Sequence, residues 1–156
     1  MRKLPLTADL DDLKATLDRV NRARLGIAAA NEAAEREIER VHGASVTLAI
    51  YGTLAPGKVN HHHIADLGGT WRDAAVRGRL GRVPCGIHQG LPAIVIGAAE
   101  PLHPVKLLAS DALPAAWARL DAFEGEEMQR LLVPLEGEGG VANIYALRRM
   151  MIELLG

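Results

Sequence analysis

The sequence predicts an α+β fold in which short strands curl into a small barrel behind a helical N-terminal extension. Three observations point there. From Leu6 to Val41, positions recur at alternating steps of four and three, the spacing of one helical face. After His42-Gly43 the chain turns to strand-like runs separated by Gly and Pro clusters. Only two helical segments interrupt those runs, and a strand-rich chain with few helices fits α+β rather than alternating α/β.

The spaced positions of the extension are Leu6, Leu10, Leu13, Leu17, Val20, Arg24, Ile27, Asn31, Ala34, Ile38 and Val41. Thr7 suits an N-cap, and Asp9, Asp11 and Asp12 place acid in the first turn, where the helix dipole favours it. Arg24 and Asn31 interrupt the apolar seam, with Gly26 between them. Two arrangements fit this pattern. One is a helical hairpin bent at Gly26 and lying on the protein's own core. The other is a single long helix pairing with a second copy through residues 6–41 as a homodimeric coiled coil, Asn31 setting the register. Gly26 does not decide between them, because glycine costs a helix only about 1 kcal/mol relative to alanine. Residues 1–43 are therefore expected to be an assembly or packing element, and residues 44–156 the functional domain.

Beyond Gly43, strands are expected over Val46 to Ile50, Val76 to Leu80, Ala93 to Ile96, Val105 to Leu108, Leu131 to Leu135 and Val141 to Leu147. A short helix is expected near His61 to Leu67. A clearer one runs from about Leu113 to Phe123, where Leu113, Trp117 and Leu120 share a face and Pro114 sits harmlessly in the first turn. Met150, Met151, Ile152, Leu154 and Leu155 form an apolar tail expected to pack on the domain or in a subunit interface.

Composition excludes several function classes. With 18 basic and 19 acidic residues in 156, the net charge is −1, so no global field recruits nucleic acid or anionic lipid. Aromatics for base stacking are nearly absent, which disfavours a nucleic-acid role. No apolar run reaches bilayer length, and the N-terminus lacks a basic-then-apolar signal pattern. A single cysteine, Cys85, cannot form an internal disulfide and fits a reducing compartment. The expectation is a soluble, cytoplasmic protein without a membrane or nucleic-acid partner.

Chemistry is expected first where Val46 to Ile50 breaks into Tyr51-Gly52-Thr53-Leu54-Ala55-Pro56-Gly57-Lys58. The glycines and proline stop the strand and leave backbone amides free to receive negative charge. By its letters Gly52 to Lys58 also satisfies G-x-x-x-x-G-K, the start of a phosphate-binding loop. The next residue, which should offer a hydroxyl to magnesium, is Val59, and Asn60-His61-His62-His63 is an unusual opening for a phosphate-binding helix. A nucleotide is therefore not the expected ligand.

A second candidate is Leu120-Asp121-Ala122-Phe123-Glu124-Gly125. Gly125 suits the left-handed position just past a helix end, which leaves Glu124 at the negative pole of the dipole with Asp121, Glu126 and Glu127 nearby in sequence. Both influences favour a neutral carboxyl and raise its pKa toward the range useful for proton transfer. An exposed acidic helix end fits the same letters.

Tyr51-Gly52-Thr53-Leu54, Gly78-Arg79-Leu80, and Leu120-Asp121-Ala122-Phe123-Glu124-Gly125 followed by Arg130 together resemble the γ-glutamylcyclotransferase-like (AIG2-like) family, over about Val46 to Leu147. The resemblance implies a small mixed β-barrel with a cavity. It implies an enzyme that cleaves a γ-glutamyl amine or γ-glutamyl peptide by cyclisation to 5-oxoproline and free amine. Carried over, Glu124 is the catalytic acid/base, and Tyr51, Gly52, Thr53 and Leu54 bind the substrate, with Tyr145 as a second-tier binding residue on its strand. No metal or cofactor is implied, since ring closure within one substrate needs positioning and a proton shuttle. Met128 stands where the family commonly has an aromatic, which removes a hydroxyl from the cavity wall. The alternative is a non-catalytic small-molecule-binding or assembly module on the same fold, working through the N-terminal helix.

Two other groupings carry less. His61-His62-His63 are sequence neighbours that cannot all converge on a metal, and they suit a helix start beside the loop, one histidine hydrogen-bonding. Cys85 and His88 have the residue types of a thiol and its base, but a lone cysteine in a Pro84-Cys85-Gly86 turn is ordinarily inert filler.

Overall fold

The computed structural model describes residues 7–86 and 88–156. Leu6, the first spaced position, lies outside them, as do the side chains of Thr7 and Asp9. Helix α1 (Thr7–Arg24) and helix α2 (Glu32–His42) lead into strand β1 (Thr47–Ile50). Then come β2 (Thr70–Arg82), β3 (Pro92–Ile96), β4 (Leu102–Ala109), α3 (Leu113–Glu124), β5 (Met128–Pro134), β6 (Val141–Leu147) and α4 (Arg148–Leu155).

The strands run in the order β1-β4-β2-β3-β6, and β6 returns to β1, so five strands close a mixed barrel while β5 flanks β6 on its far edge. One edge of β6 is shared: Asn143 and Ile144 pair in parallel with Leu48 and Ala49 of β1, and Ala146 pairs with Ile94 of β3. Every residue of β6 is buried, the pattern of a strand covered on both faces.

Strand β2 is much longer than the run Val76 to Leu80 suggested. It pairs with β4 over 70–77 and with β3 over 78–82. Its first half carries polar residues whose cross-strand partners replace an apolar face; Asp73 lies opposite Lys106 and forms an ion pair with it. Gly78 stands where the strand changes neighbours, and a Cβ there would come within 2.6 Å of Ile94 Cδ1. Strand β4 begins at Leu102 in spite of Pro104, because β1 pairs only with 106–109 and leaves Pro104 on a locally open edge.

The hairpin arrangement of the extension is the one observed. Gly26, at φ +79°, lies in the turn between α1 and α2. Leu17, Val20, Ala34 and Ile38 form a buried cluster with Ala44, Leu132 and Val141, so the seam packs on the chain's own barrel. Asn31 has a local task in place of a register-setting one: its Oδ1 accepts the Ala34 amide at 3.1 Å as the N-cap of α2. Asn21 closes the outer edge of β5, donating to Leu132 O at 2.9 Å and accepting from Leu132 N at 2.8 Å.

The two remaining helices follow similar reasoning. Leu113, Trp117 and Leu120 of α3 are buried, Pro114 is in its first turn, and the helix stops at Gly125 with φ +80°. The apolar tail is a helix, Arg148–Leu155, a structure its apolar letters alone do not predict. Met151 is buried, while Met150, Ile152 and Leu155 pack against the barrel core.

Candidate active site

The loop after β1 begins in the seam where β6 leaves β1 for β3. Tyr145 lies between the residue paired to β1 and the residue paired to β3. The Tyr51 hydroxyl enters that seam and donates to Tyr145 O at 2.5 Å. Burial holds the Tyr51 phenol well above its ordinary pKa, so it is a structural donor rather than a proton shuttle.

The next three residues are clamped from outside. Asn60 donates its side-chain amide to Thr53 Oγ1 at 2.8 Å and its backbone N–H to Thr53 O at 2.9 Å. The His61 Nδ1–H donates to Leu54 O at 2.9 Å. Carbonyls and the threonine hydroxyl are thus engaged, yet the N–H groups of Gly52, Thr53 and Leu54 have no acceptor among the described residues. Gly52 has no positive φ, and a Cβ added there would meet no atom within 4 Å. Neither backbone strain nor packing demands glycine at that position. What glycine leaves is open space at a position that lines the cavity.

Glu124 is the last residue of α3. It lines one half-open cavity with Tyr51, Gly52, Thr53 and Leu54, with a volume of about 50 Å³. Val83, Leu91, Pro92 and Met128 supply its apolar wall. Burial raises the Glu124 carboxyl to a pKa of about 7; His88 pulls it down, and Asp121 pushes it further up. The sequence had placed the main cause in the helix dipole and the acidic neighbours. Of those neighbours only Asp121 contributes, and the apolar wall is the larger effect.

Tyr145 also lines the cavity, but its hydroxyl is committed. It donates to Asp121 Oδ1 at 2.6 Å, and burial holds the phenol far above its ordinary pKa. Asp121 is gripped in addition by Arg130, with Nε to Oδ1 at 2.9 Å. Arg130 stacks over Trp117 at 4.3 Å and donates to Asn143 Oδ1 at 3.1 Å. Tyr145 therefore offers the cavity its ring, backed by a charged network.

His88 also lines the cavity, apart from the Cys85 pairing that the sequence disfavours. Its Nε2–H donates to Phe123 O at 2.7 Å, and its ring meets the Phe123 ring edge-on at 4.9 Å. Cys85 is exposed and donates to Glu127 Oε1 at 3.1 Å, an interaction that pushes its thiol pKa up and makes it a poorer nucleophile. The histidine run likewise divides. His61 holds the loop, while His62 and His63 stack on each other at 4.2 Å and His63 on Phe123 at 3.9 Å. No group of three or more His, Cys, Asp or Glu among the described residues could hold a metal ion. Lys58 is exposed and is followed by a one-turn 3-10 helix, His61–His63, with no α-helix to receive a phosphate.

Comparisons with known proteins bear on the family and the fold. The sequence model of the family described as "Gamma-glutamyl cyclotransferase, AIG2-like" matches residues 48–153. No curated protein matches the chain. Among solved structures, c4763, a uropathogenic Escherichia coli-specific protein, superposes with a TM-score of 0.54 at 18% identity, over 69% of this chain and 83% of that one. An S177A allophanate hydrolase from Kluyveromyces lactis superposes at 0.55 and 15% identity, over 65% of this chain and 17% of the hydrolase. The chain thus spans under a fifth of that enzyme's length, and at these identities both likenesses concern the fold. A mouse AIG2-like protein gives a TM-score of 0.48 at 20% identity, over 65% of this chain and 76% of that one.

Proposed function

Because this chain belongs to the γ-glutamyl cyclotransferase, AIG2-like, family, we propose that it cleaves a γ-glutamyl amine or γ-glutamyl peptide by cyclising the γ-glutamyl group to 5-oxoproline. The observation that carries the reading is the pairing, in one cavity, of a carboxyl that burial raises to a pKa of about 7 with a loop whose three successive amides have no acceptor among the described residues.

Each step uses groups at hand. The Glu124 carboxylate takes a proton from the substrate α-ammonium, and the freed amine attacks the γ-carbonyl carbon of the same molecule. The bond forming is the lactam C–N, and the charge developing on the carbonyl oxygen is received by the amides of Thr53 and Leu54. As the old amide C–N bond breaks, Glu124 returns its proton to the leaving amine. The ring nitrogen then gives up its second proton to the regenerated Glu124 carboxylate, which passes it to the released amine, so protons balance and the products are 5-oxoproline and the amine as its ammonium ion. Gly52 leaves room for the glutamyl group, while Tyr51 fixes the loop to β6. Ring closure within one bound molecule makes positioning a large part of catalysis.

A panel of γ-glutamyl amines and peptides, assayed for 5-oxoproline, tests the reading. Wild-type protein is expected to turn over at least one, and Glu124→Gln to lose about 10²–10⁴-fold, the usual contribution of a positioned acid/base. No product from wild type, or equal product from the variant, overturns it.

A further inference from the structure

Residues 7–42 lie outside the matched family range, yet one of their side chains reaches the far side of the catalytic wall. Arg24, at the end of α1, is held by α2 through a two-pronged ion pair, Nε to Glu35 Oε1 at 2.7 Å and Nη2 to Glu35 Oε2 at 2.9 Å. Its remaining arm, Nη1, donates to Asn143 Oδ1 at 2.9 Å and to Arg130 O at 3.3 Å. Asn143 Oδ1 also receives Arg130 Nη1, so two guanidinium groups converge on one amide oxygen. The Asn143 amide is buried, and its Nδ2 is tied to Ala44 O at 2.8 Å. It has no freedom to follow one arginine away from the other.

On the site side, the same Arg130 grips Asp121, and Asp121 takes the Tyr145 hydroxyl. The chain of contacts is continuous: Glu35, Arg24, Asn143, Arg130, Asp121, Tyr145. Its last two members stand against Glu124, Tyr145 as cavity wall and Asp121 as the charge that raises the carboxyl. The charges along it alternate around one neutral amide, so each arginine stays in place only while its own carboxylate neutralises it.

We propose that Arg24 is a positioning residue for the candidate active site: by holding the Arg130 carbonyl, beside the Asn143 oxygen the two arginines share, it keeps Arg130 on Asp121, and so sets the charge behind Glu124 from outside the family domain. The inference rests on Glu124 being the proton-handling group. The titratable side chains around Glu124 are Asp121 on α3, His88 on the β2–β3 connection, Tyr51 after β1 and Tyr145 on β6, with Arg130 of β5 behind Asp121. Removing Arg24 leaves Glu35 uncompensated, loosens Arg130 by freeing its carbonyl, and exposes Glu124 to more of the Asp121 charge. All three changes favour the neutral carboxyl, so its titration moves upward.

The test reads Glu124 directly, by carbon-13 NMR titration of the full-length chain, and so is independent of turnover. Relative to a wild-type midpoint at about 7, Arg24→Ala is expected to titrate higher by about 0.5 pH unit, a modest charge effect. Arg40→Ala, which removes an exposed cation of the same extension paired, among the described residues, with Glu37 alone, is expected to leave the midpoint in place. A wild-type midpoint in Arg24→Ala overturns the proposal, as does an equal shift in Arg40→Ala. Should Arg24→Ala fail to fold, Arg24→Lys decides: it keeps the charge but not the fork, and a wild-type midpoint there overturns the proposal. Where 5-oxoproline release is measurable, the acid limb of kcat/KM moves with the midpoint. An inactive wild type would count against the cyclotransferase reading and leave the titration result standing.

Discussion

The two flanks of β6 handle polar groups in opposite ways. Toward α1 and α2, Asn143, Arg24, Arg130, Asn21 and Glu35 meet one another or a backbone group at ordinary hydrogen-bond lengths. Toward the loop after β1, the amides of Gly52, Thr53 and Leu54 face the reverse situation, and a carboxyl is held in surroundings that favour its neutral form. Saturated polar networks stabilise and specify a packing, whereas unmatched ones raise the free energy of the folded state and persist where a ligand completes them. The comparison therefore separates scaffold from site with no appeal to family.

Breaking the saturated flank is expected to give the largest loss of stability. Asn143→Ala strands two guanidinium arms and the Ala44 carbonyl, and should destabilise by about 3 kcal/mol in urea unfolding. On the other flank, Gly52→Ala should do the reverse. Its stability should stay within about 1 kcal/mol of wild type, since the φ is compatible with alanine. Its kcat/KM should fall about a hundredfold, because the methyl group occupies substrate space.

Glu124→Gln sharpens the contrast. The folded-state pKa of Glu124 is raised from 4.5 to about 7, so its contribution to stability is fully present below about pH 4.5 and is lost as pH rises through 7. At pH 8 the variant should be more stable than wild type by about 1–3 kcal/mol, with the difference vanishing near pH 4. Stability gained where activity is lost is the behaviour of a functional group, not a scaffold one. The smallest effect is expected at Arg36→Ala. Its pair with Glu32 is exposed at 3.8 Å, and thermal unfolding should register less than about 0.5 kcal/mol.

The same contrast explains what was legible in the sequence. Strand β6 was read with its observed bounds because burial on both faces writes a nearly continuous apolar run. Helix α3 was read to within one residue at each end, since Pro114 and Gly125 punctuate it. The loop and Glu124, both singled out from the sequence, do meet in one cavity. Half of β2 escaped notice because its first half is largely exposed and polar, and the partner of Asp73, Lys106 on the neighbouring strand, is invisible in a single strand's letters. Arg24 and Asn31 left hairpin and long helix undecided, because one is explained by partners far along the chain and the other by a cap whose geometry exists only once the turn forms. Asn21 and Asn143 carried no signal at all: a buried asparagine is recognisable only by the backbone groups it satisfies. His88 was weighed against Cys85, its neighbour in sequence, although its partner is the carbonyl of Phe123.

The most direct test is the pH dependence of 5-oxoproline release from a γ-glutamyl amine, wild type beside Glu124→Gln. If the carboxylate accepts the α-ammonium proton, wild-type kcat/KM rises with pH through an inflection near 7, the position set by burial of that carboxyl. The variant should retain about 1% or less of the rate and lose that inflection. A wild-type profile flat between pH 6 and 8, or an inflection that survives in Glu124→Gln, would contradict the assignment of the proton shuttle to Glu124.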